Sequence, residues 1–433
     1  MLSAADNELL TRTGPDTPMG RYFRRYWQPV ALSRELPEPD GAPLRVNIMG
    51  EELVAFRNAR GEVGLVESRC PHRGANLYFG RNEDCAIRCV FHGWKFDMEG
   101  RPLELPNVPA GAQYHHTVRL RSYPTREYGD VVWAFLRPFG ETHPEMPEVP
   151  QLEFGAVPAA HRFVTKKLQE CNWAQSIEGA LDTSHFSFLH MPAPGVPSNE
   201  NPDAPADEKR LRWIRSDPMP RFSILEHEVG FVVGGARRAD GASRYWRTAQ
   251  FALPSHSTTP STLPGETHFG YTWVPIDDFN CWIYTYAWNP ERPLADDEIS
   301  RFKAGHGVIA EVDDNFIPIR NRANEYLIDR RAQKHISYTG VRGVAEQDAM
   351  IQDSQGRIAD RTREHLSASD AAIVRFRRTI LAGARALQSG IEPQAPFRAT
   401  SYKLRSGSWI ASEGVSFEQV MMERFGHPFG QVQ

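Results

Sequence analysis

The spacing of apolar positions changes twice along the chain. Between residues 5 and 27 it is helical, with Tyr22, Phe23 and Trp27 forming a stripe and Asp16-Thr17-Pro18 marking a turn or helix start, so one or two short helices are predicted. From Pro29 to about Pro138 the pattern shortens. Residues 44–49, 52–56 and 63–66 are short runs rich in β-branched side chains, divided by turn signals such as Asn58-Ala-Arg-Gly61, and 131–136 closes the stretch. An all-β region follows from this. Residues 138–161 carry Pro138, Pro144, Pro147, Pro150 and Pro158 and read as a linker. Beyond it the pattern is mixed. Residues 171–190 are predicted helical. Strand-like runs fall at 222–225, 231–233, 245–251, 267–274 and 281–286. Asp296-Asp-Glu298 opens a helix, and 300–325 and 369–388 read as helical. Residues 389–405 look irregular, and there is no internal repeat. The expected plan is N-terminal helices at 1–27, a β domain at 28–140, a linker at 141–160 and a mixed domain at 161–433, an α+β chain.

Composition narrows the function. With 433 residues the chain is long enough for two domains. A net charge of −4 gives no basic excess for nucleic acid or an anionic membrane. The first residues lack a basic and an apolar leader segment, so no signal peptide is expected. No run of apolar residues is long enough for a membrane span. Five cysteines argue against a disulfide framework and make a reducing cytoplasm the expected compartment.

Two of those cysteines sit in a metal-like stretch. Cys70-Pro-His72-Arg-Gly-Ala is followed, after a spacer, by Cys89-Val-Phe-His92-Gly-Trp-Lys-Phe-Asp. Paired cysteines and histidines can hold structural zinc. Here, however, the pairs lie inside a region with its own complement of strands, whereas zinc modules usually have little other core. Gly74 and Gly93 follow the histidines closely, as loops need when backbone N–H groups approach sulfur. Together the two loops resemble those of a Rieske 2Fe–2S domain. That resemblance implies that Cys70 and Cys89 hold one iron and His72 and His92 the other, and neutral imidazoles in place of thiolates raise the potential. Cys85 reads as a small buried hydrophobe, and His115 and His116 as ordinary surface or core histidines. Trp94 is expected to pack the loop, and Arg73 to be solvated.

A second constellation lies downstream, at His185 and His190. Metal ligands on a regular helix are usually four apart. Five apart turns them about 140° around the axis, so the helix must end, bulge or turn between them if both are to meet one ion. Asp182 falls three residues before His185, where a carboxylate can bond the imidazole N–H and fix its tautomer. The pattern from Glu178, E-x-x-x-D-x-x-H-x-x-x-x-H, resembles the mononuclear iron motif of Rieske non-haem iron oxygenases. Two histidines and a carboxylate form the facial triad of such Fe(II) sites. Asp313, Asp314, Asp348, Asp353 and Asp360 compete for the carboxylate role. The segment around Asp348 is similar to the family's late helix, and Asp348 stands at the matching position. Asn172 could be a helix cap or a supporting hydrogen-bond partner of the site.

The resemblance covers essentially the whole chain, and the opening, from Asn7 to Pro37, resembles the phthalate dioxygenase branch. It implies a catalytic domain of antiparallel sheet surrounded by helices (START/Bet v1-like), a mononuclear non-haem Fe(II) beside the 2Fe–2S cluster, and a homotrimer or stacked homohexamer. It also implies that Asp182 joins His185 to His92 of a neighbouring subunit. Only Cys85, Cys171 and Cys281 remain outside the cluster motif, too few for a plant-type ferredoxin centre, and no dinucleotide fingerprint is present. A separate flavin or ferredoxin reductase is therefore expected to deliver electrons. The substrate is less legible. Carboxylates are commonly held by arginines, and Arg210, Arg212, Arg215, Arg244 and Arg247 lie in the region where such contacts would arise. Arg247 alternates with apolar residues on a probable strand, so it could face a pocket or form a structural ion pair. An aromatic acid is the expected substrate class, with O2 as co-substrate. Either ring dihydroxylation or a monooxygenation such as O-demethylation would suit.

Overall fold

The computed structural model describes residues 1–109, 112, 114–137, 145–201, 208–260 and 265–432, without the side chains of 114 and 115. Two units emerge: residues 12–149, and residues 1–11 together with 150–433. The expected group of N-terminal helices is thus divided. The helix Ala4–Thr11 belongs to the larger unit, while Pro18–Phe23 belongs to the smaller one. Thr17 caps the second helix by accepting from the Gly20 N–H, with Pro18 supplying the fixed φ of its first turn.

The smaller unit is all β apart from short helical turns. Strands Leu44–Ile48, Glu51–Arg57 and Val63–Glu67 pair antiparallel in sequence order, and Ser122–Tyr123 joins the last of them. A second small sheet runs Arg81–Glu83, Ala86–Arg88, Lys95–Phe96, Pro102–Glu104. The third sheet places Val131–Phe135 between Trp27–Leu32 and Thr125–Tyr128. Val54, Phe56, Val66, Leu77, Ile87, Phe96, Leu105 and Leu120 form one apolar cluster, and Cys70, Cys89 and Trp94 are part of it.

The larger unit is built on an antiparallel sheet. Its strands run in the order Arg162–Gln169, Cys281–Trp288, His268–Pro275, His256–Thr259, Ser243–Ala252, Gly230–Arg238, Arg221–His227, and Ser408–Ser412 adds to Ser243–Ala252. Helices Trp173–Leu181, Val344–Ser354 and Ala371–Gln388 belong to the same unit. On Ala371–Gln388 the buried residues Ala372, Phe376, Ile380, Leu381 and Ala384 recur at helical spacing, and Phe376 packs edge-on against Trp173 and Phe251. Between the helices lies a buried ion cluster. Glu178 accepts from both Arg361 and Arg377, and Arg377 also holds Glu364.

Three local expectations do not hold. The linker is one: from residue 150 the chain belongs to the larger unit. Phe154 is buried and stacks on Tyr286 at 3.7 Å, and Glu153 takes the Trp288 indole and the Arg405 guanidinium. Residues 138–144 lie outside the described residues. The second is the helix over 300–325. It ends at Lys303, because Gly305 and Gly307 adopt φ of 78° and 68° and the Asp313 carboxylate then caps a turn. The third is Cys85. It is only half-buried, in the two-residue turn Asp84-Cys85 between two short strands, with φ of 51° and 58°.

Candidate metal centres and substrate cavity

The two loops of the smaller unit are copies of one device. The Cys70 N–H donates to the Ala75 carbonyl and the Gly74 N–H to the Cys70 carbonyl. The Cys89 N–H donates to the Trp94 carbonyl and the Gly93 N–H to the Cys89 carbonyl. Each turn closes through a glycine with φ near +70°, 72° at Gly74 and 75° at Gly93, a conformation that a side chain would strain. The loops converge. His72 and His92 meet edge to face with ring centroids 4.4 Å apart, and Trp94 stacks on His72 at 4.4 Å. The Trp94 indole is buried and donates to Asn107, so it packs the loop as expected. Arg73 is exposed over the Phe91 ring, and His116 is exposed; the His115 side chain is outside the described residues.

The donor set suits a Rieske cluster. Cys70 and Cys89 are buried free thiols. The Nδ1 atoms of His72 and His92 are buried and have no protein hydrogen-bond partner, which is costly unless something else binds them. Burial, with Cys89 alongside, pushes the Cys70 thiol up to about 11, and burial lowers His92. The raised thiol is that of a ligand without its metal, since iron would hold the thiolate, while the lowered imidazole is already the neutral form that a metal binds.

In the larger unit, the helix Trp173–Leu181 starts from Asn172, whose Oδ1 accepts from the Ala174 N–H. Asn172 is therefore the helix cap, and its amide also ties Thr11 and Asp278. The helix stops at Asp182, which is extended (φ −86°, ψ 108°), and a single 3-10 turn, His185–Ser187, follows. This break is how histidines five apart reach one point. The buried Arg237 pins it by donating to the Thr183 carbonyl. Burial beside Arg247 lowers the Arg237 guanidinium to about 10.

His185, His190 and Asp348 come together. Their Nε2 atoms are 3.0 Å apart, and Asp348 Oδ1 lies 3.7 Å from His185 Nε2 and 3.3 Å from His190 Nε2. Three adjacent positions of an octahedral ion with bonds of about 2.1 Å are roughly 3.0 Å apart, so the triad fits one metal ion on a single face. Among the described residues this is the group of histidine, cysteine and acidic side chains that could hold an ion. The rival aspartates are elsewhere. Asp353 is buried between Gln169 and Tyr326, while Asp313 and Asp360 cap turns and, like Asp314, are exposed.

Nδ1 of each histidine faces an acceptor. His185 Nδ1 lies 3.5 Å from Asp182 Oδ2, and Asp182 Oδ1 accepts from the Ser184 N–H and hydroxyl. Burial opposes ionisation of Asp182, but His185 and Ser184 hold it at about 2, and Asp182, with Asp348, raises His185 against its burial. His190 Nδ1 lies 2.7 Å from Gln347 Oε1, and the Gln347 amide donates to the Val341 carbonyl. Gln347 was not singled out in the sequence. Its one clue is that it precedes Asp348 on the helix Val344–Ser354.

A cavity with about 610 Å³ of empty space, its mouth included, opens beside His185 and Asp348. Phe186, Tyr271, Trp273 and Ile283 are among its apolar residues, with Lys167, Thr285 and Gln352 among the polar ones. None of the three candidate arginines lines it. Arg244 is paired with Glu413, where Ser408–Ser412 joins the sheet. Arg210 is buried on the helix Glu208–Ser216. Arg247 is buried with its guanidinium 4.1 Å from the centre of the Phe186 ring, on the strand Ser243–Ala252. Of the other two, Arg212 pairs with Asp240, and Arg215 donates to the Pro192 carbonyl.

Comparison with known proteins agrees with this geometry. Residues 26–124 match the Rieske [2Fe-2S] domain and residues 139–412 the LigXa C-terminal domain like family. The phthalate 4,5-dioxygenase oxygenase subunit of Pseudomonas putida is 37% identical over 90% of this chain and 88% of its own length. The 3-chlorobenzoate-3,4-dioxygenase oxygenase subunit of Comamonas testosteroni is 33% identical over 98% and 99%. The 5,5'-dehydrodivanillate O-demethylase oxygenase subunit of a Sphingobium species is 30% identical over 92% and 84%. A crystal structure of dicamba monooxygenase bound to dicamba shares the fold, with a TM-score of 0.58 at 16% identity, over 85% of this chain and 99% of that one. The matched domain decides for an iron–sulfur cluster over zinc. On this evidence the chain belongs to the Rieske non-haem iron oxygenases, as a terminal oxygenase component with a 2Fe–2S cluster and a mononuclear iron site, among the relatives of phthalate dioxygenase.

Proposed function

We propose that this oxygenase dihydroxylates the ring of a carboxylated aromatic compound with electrons from a separate NAD(P)H-dependent reductase. The observation that carries the reading is the cavity, whose aromatic and aliphatic wall adjoins the His185–His190–Asp348 triad. The relatives named for phthalate and 3-chlorobenzoate support the substrate class.

In this reading Cys70, Cys89, His72 and His92 hold the cluster, and His185, His190 and Asp348 hold the mononuclear iron. When bound, that iron supplies open positions at which dioxygen is activated. The chain's own part is to prepare the site. Asp182 and Gln347 keep the proton on Nδ1 of each histidine, which leaves Nε2 as the donor atom. Phe186, Tyr271, Trp273 and Ile283 hold the ring and exclude water, and the Arg247 guanidinium lies over the Phe186 ring. We further infer that Asp182 connects His185 to His92 of a neighbouring subunit in a trimer or stacked hexamer. Its carboxylate retains about a fifth of its exposure, and Val90 and Phe91 beside His92 are exposed apolar residues for a partner to cover. Among the described residues no helix is long and apolar enough to cross a membrane, and a cytoplasmic setting suits the five unpaired cysteines.

A second reading, O-demethylation of a methoxy-aromatic acid, is favoured by the O-demethylase relative. The same site serves both, and substrate pose decides. Turnover with a surrogate reductase across phthalates, phenoxybenzoates and methoxybenzoates separates them. A cis-diol product supports ring dihydroxylation and formaldehyde release supports demethylation. Absence of any oxygenated aromatic product overturns both.

A further inference from the structure

We propose that Lys167 anchors the substrate's carboxylate in the cavity, as its specificity-determining cation. The inference rests on the carboxylated-aromatic reading above and deepens it. Arginines are the usual partners of carboxylates, but here Arg244 already holds Glu413 and Arg247 lies against Phe186, outside the cavity lining.

Lys167 is placed differently. It stands on the strand Arg162–Gln169, which pairs with Cys281–Trp288. Side chains alternate across a strand. Lys166 therefore takes the opposite face, with its ammonium over the Trp282 and Phe316 rings. Lys167 shares its face with its ladder partner Ile283 and with Thr285, and all three line the cavity with His185 and Asp348. The residue is only 7% exposed.

Its ammonium has no close ion-pair partner, and the carboxylates that feel its charge from farther off are Glu346 and Asp348. An ammonium has three N–H donors, and Lys167 spends one on the Ala345 carbonyl at 2.9 Å. Among the described residues no carboxylate, Asp348 and Glu346 included, lies within ion-pair distance of it. Buried ammonium groups are rarely left without a counter-charge. Asp348 is the one carboxylate lining the cavity, and a metal ion would claim it. The remaining polar lining, Ser176, Thr259, Thr285 and Gln352, is neutral. An anion is thus the ligand that completes this wall. A benzoate-type carboxylate on Lys167 would leave its ring to the Phe186, Tyr271 and Trp273 side of the cavity, next to the triad.

The test is equilibrium binding by calorimetry to the iron-loaded holoenzyme, with benzoate against benzamide and phthalate against phthalamide. Wild type is expected to favour each acid over its amide by at least about tenfold, the value of one charge-assisted hydrogen bond. Lys167→Met should erase that preference while amide affinity and iron content stay at wild-type values. Lys167→Gln, which can still donate to Ala345, repeats the test if methionine harms folding. Retention of the acid preference in an iron-replete Lys167→Met or Lys167→Gln protein overturns the assignment, and so does its loss in Arg247→Gln alone. Binding of acid and amide alike by wild type also overturns it. If wild type binds no aromatic ligand of either kind, the substrate-class reading itself fails, a result distinct from those aimed at Lys167.

Discussion

Replacing Gln347 with leucine should weaken iron binding without touching a ligand. Gln347 is buried and bridges two groups: its Oε1 accepts from His190 Nδ1 at 2.7 Å, and its Nε2 donates to the Val341 carbonyl at 2.9 Å. Leucine keeps the bulk and removes both bonds. His190 and Val341 are themselves buried, so each stranded polar group costs about 1–3 kcal/mol, and the variant should lose about 2–6 kcal/mol of stability. The imidazole is also freed to rotate or to take the other tautomer, and loss of such an orienting partner lowers metal affinity about 10–100-fold. Gln347→Glu restores an acceptor for His190 Nδ1 but not the donor to Val341. It should recover most of the affinity and only part of the stability. The assay is Fe(II) titration of the apo-protein against a competing chelator, alongside urea unfolding. A folded Gln347→Leu protein that binds Fe(II) as tightly as wild type would refute the role given to this side chain.

Further outcomes follow from the same contacts. At saturating Fe(II), Asp182→Ala should still take up both metal centres but lose most turnover, about 10–100-fold or more, because it removes the Nδ1 partner of His185 and the inferred subunit bridge; iron analysis with steady-state rates checks this, and full activity would remove the bridge. Glu178→Ala strands the buried guanidinium groups of Arg361 and Arg377 and should cost about 3–5 kcal/mol in denaturant unfolding. Burial opposes the Glu178 charge, but the two arginines outweigh it and lower its pKa. Its contribution is therefore complete above the ordinary carboxylate value of 4.5 and lost as the pH falls through the lower folded value. His256 is neutral inside the sheet, where it bonds Thr272 and burial lowers it to about 3. The unfolded chain binds this proton more readily, so stability should drop as the pH falls from 6.5 towards 3, and His256→Gln should flatten that limb of the melting profile.

Much of the site was legible because its chemistry is local in sequence. Both cluster loops carry their ligands and their positive-φ glycine within five residues, so Cys70–Gly74 and Cys89–Gly93 announce themselves. The break between His185 and His190 followed from helix geometry alone, and the chain ends its helix at Leu181. What was lost depended on contacts across the chain. Gln347 has no metal chemistry of its own and matters only because His190, 157 residues away, presents Nδ1 to it. The strand Arg162–Gln169 was missed since its run R-F-V-T-K-K-L-Q looks polar, yet aromatic rings cover Lys166 and the cavity wall takes Lys167. On the strand Ser243–Ala252, residue type alone does not separate a guanidinium facing substrate from one held by Glu413 or laid on Phe186.

One chain carries two separate iron centres. Metal analysis and electron paramagnetic resonance of purified wild-type and His185→Ala, Asp348→Ala protein test it most directly. Three irons per chain are expected in wild type, two in the variant, with the reduced-cluster signal intact in both. Two irons in wild type, or zinc in a colourless protein, would rule out the second iron centre or the cluster.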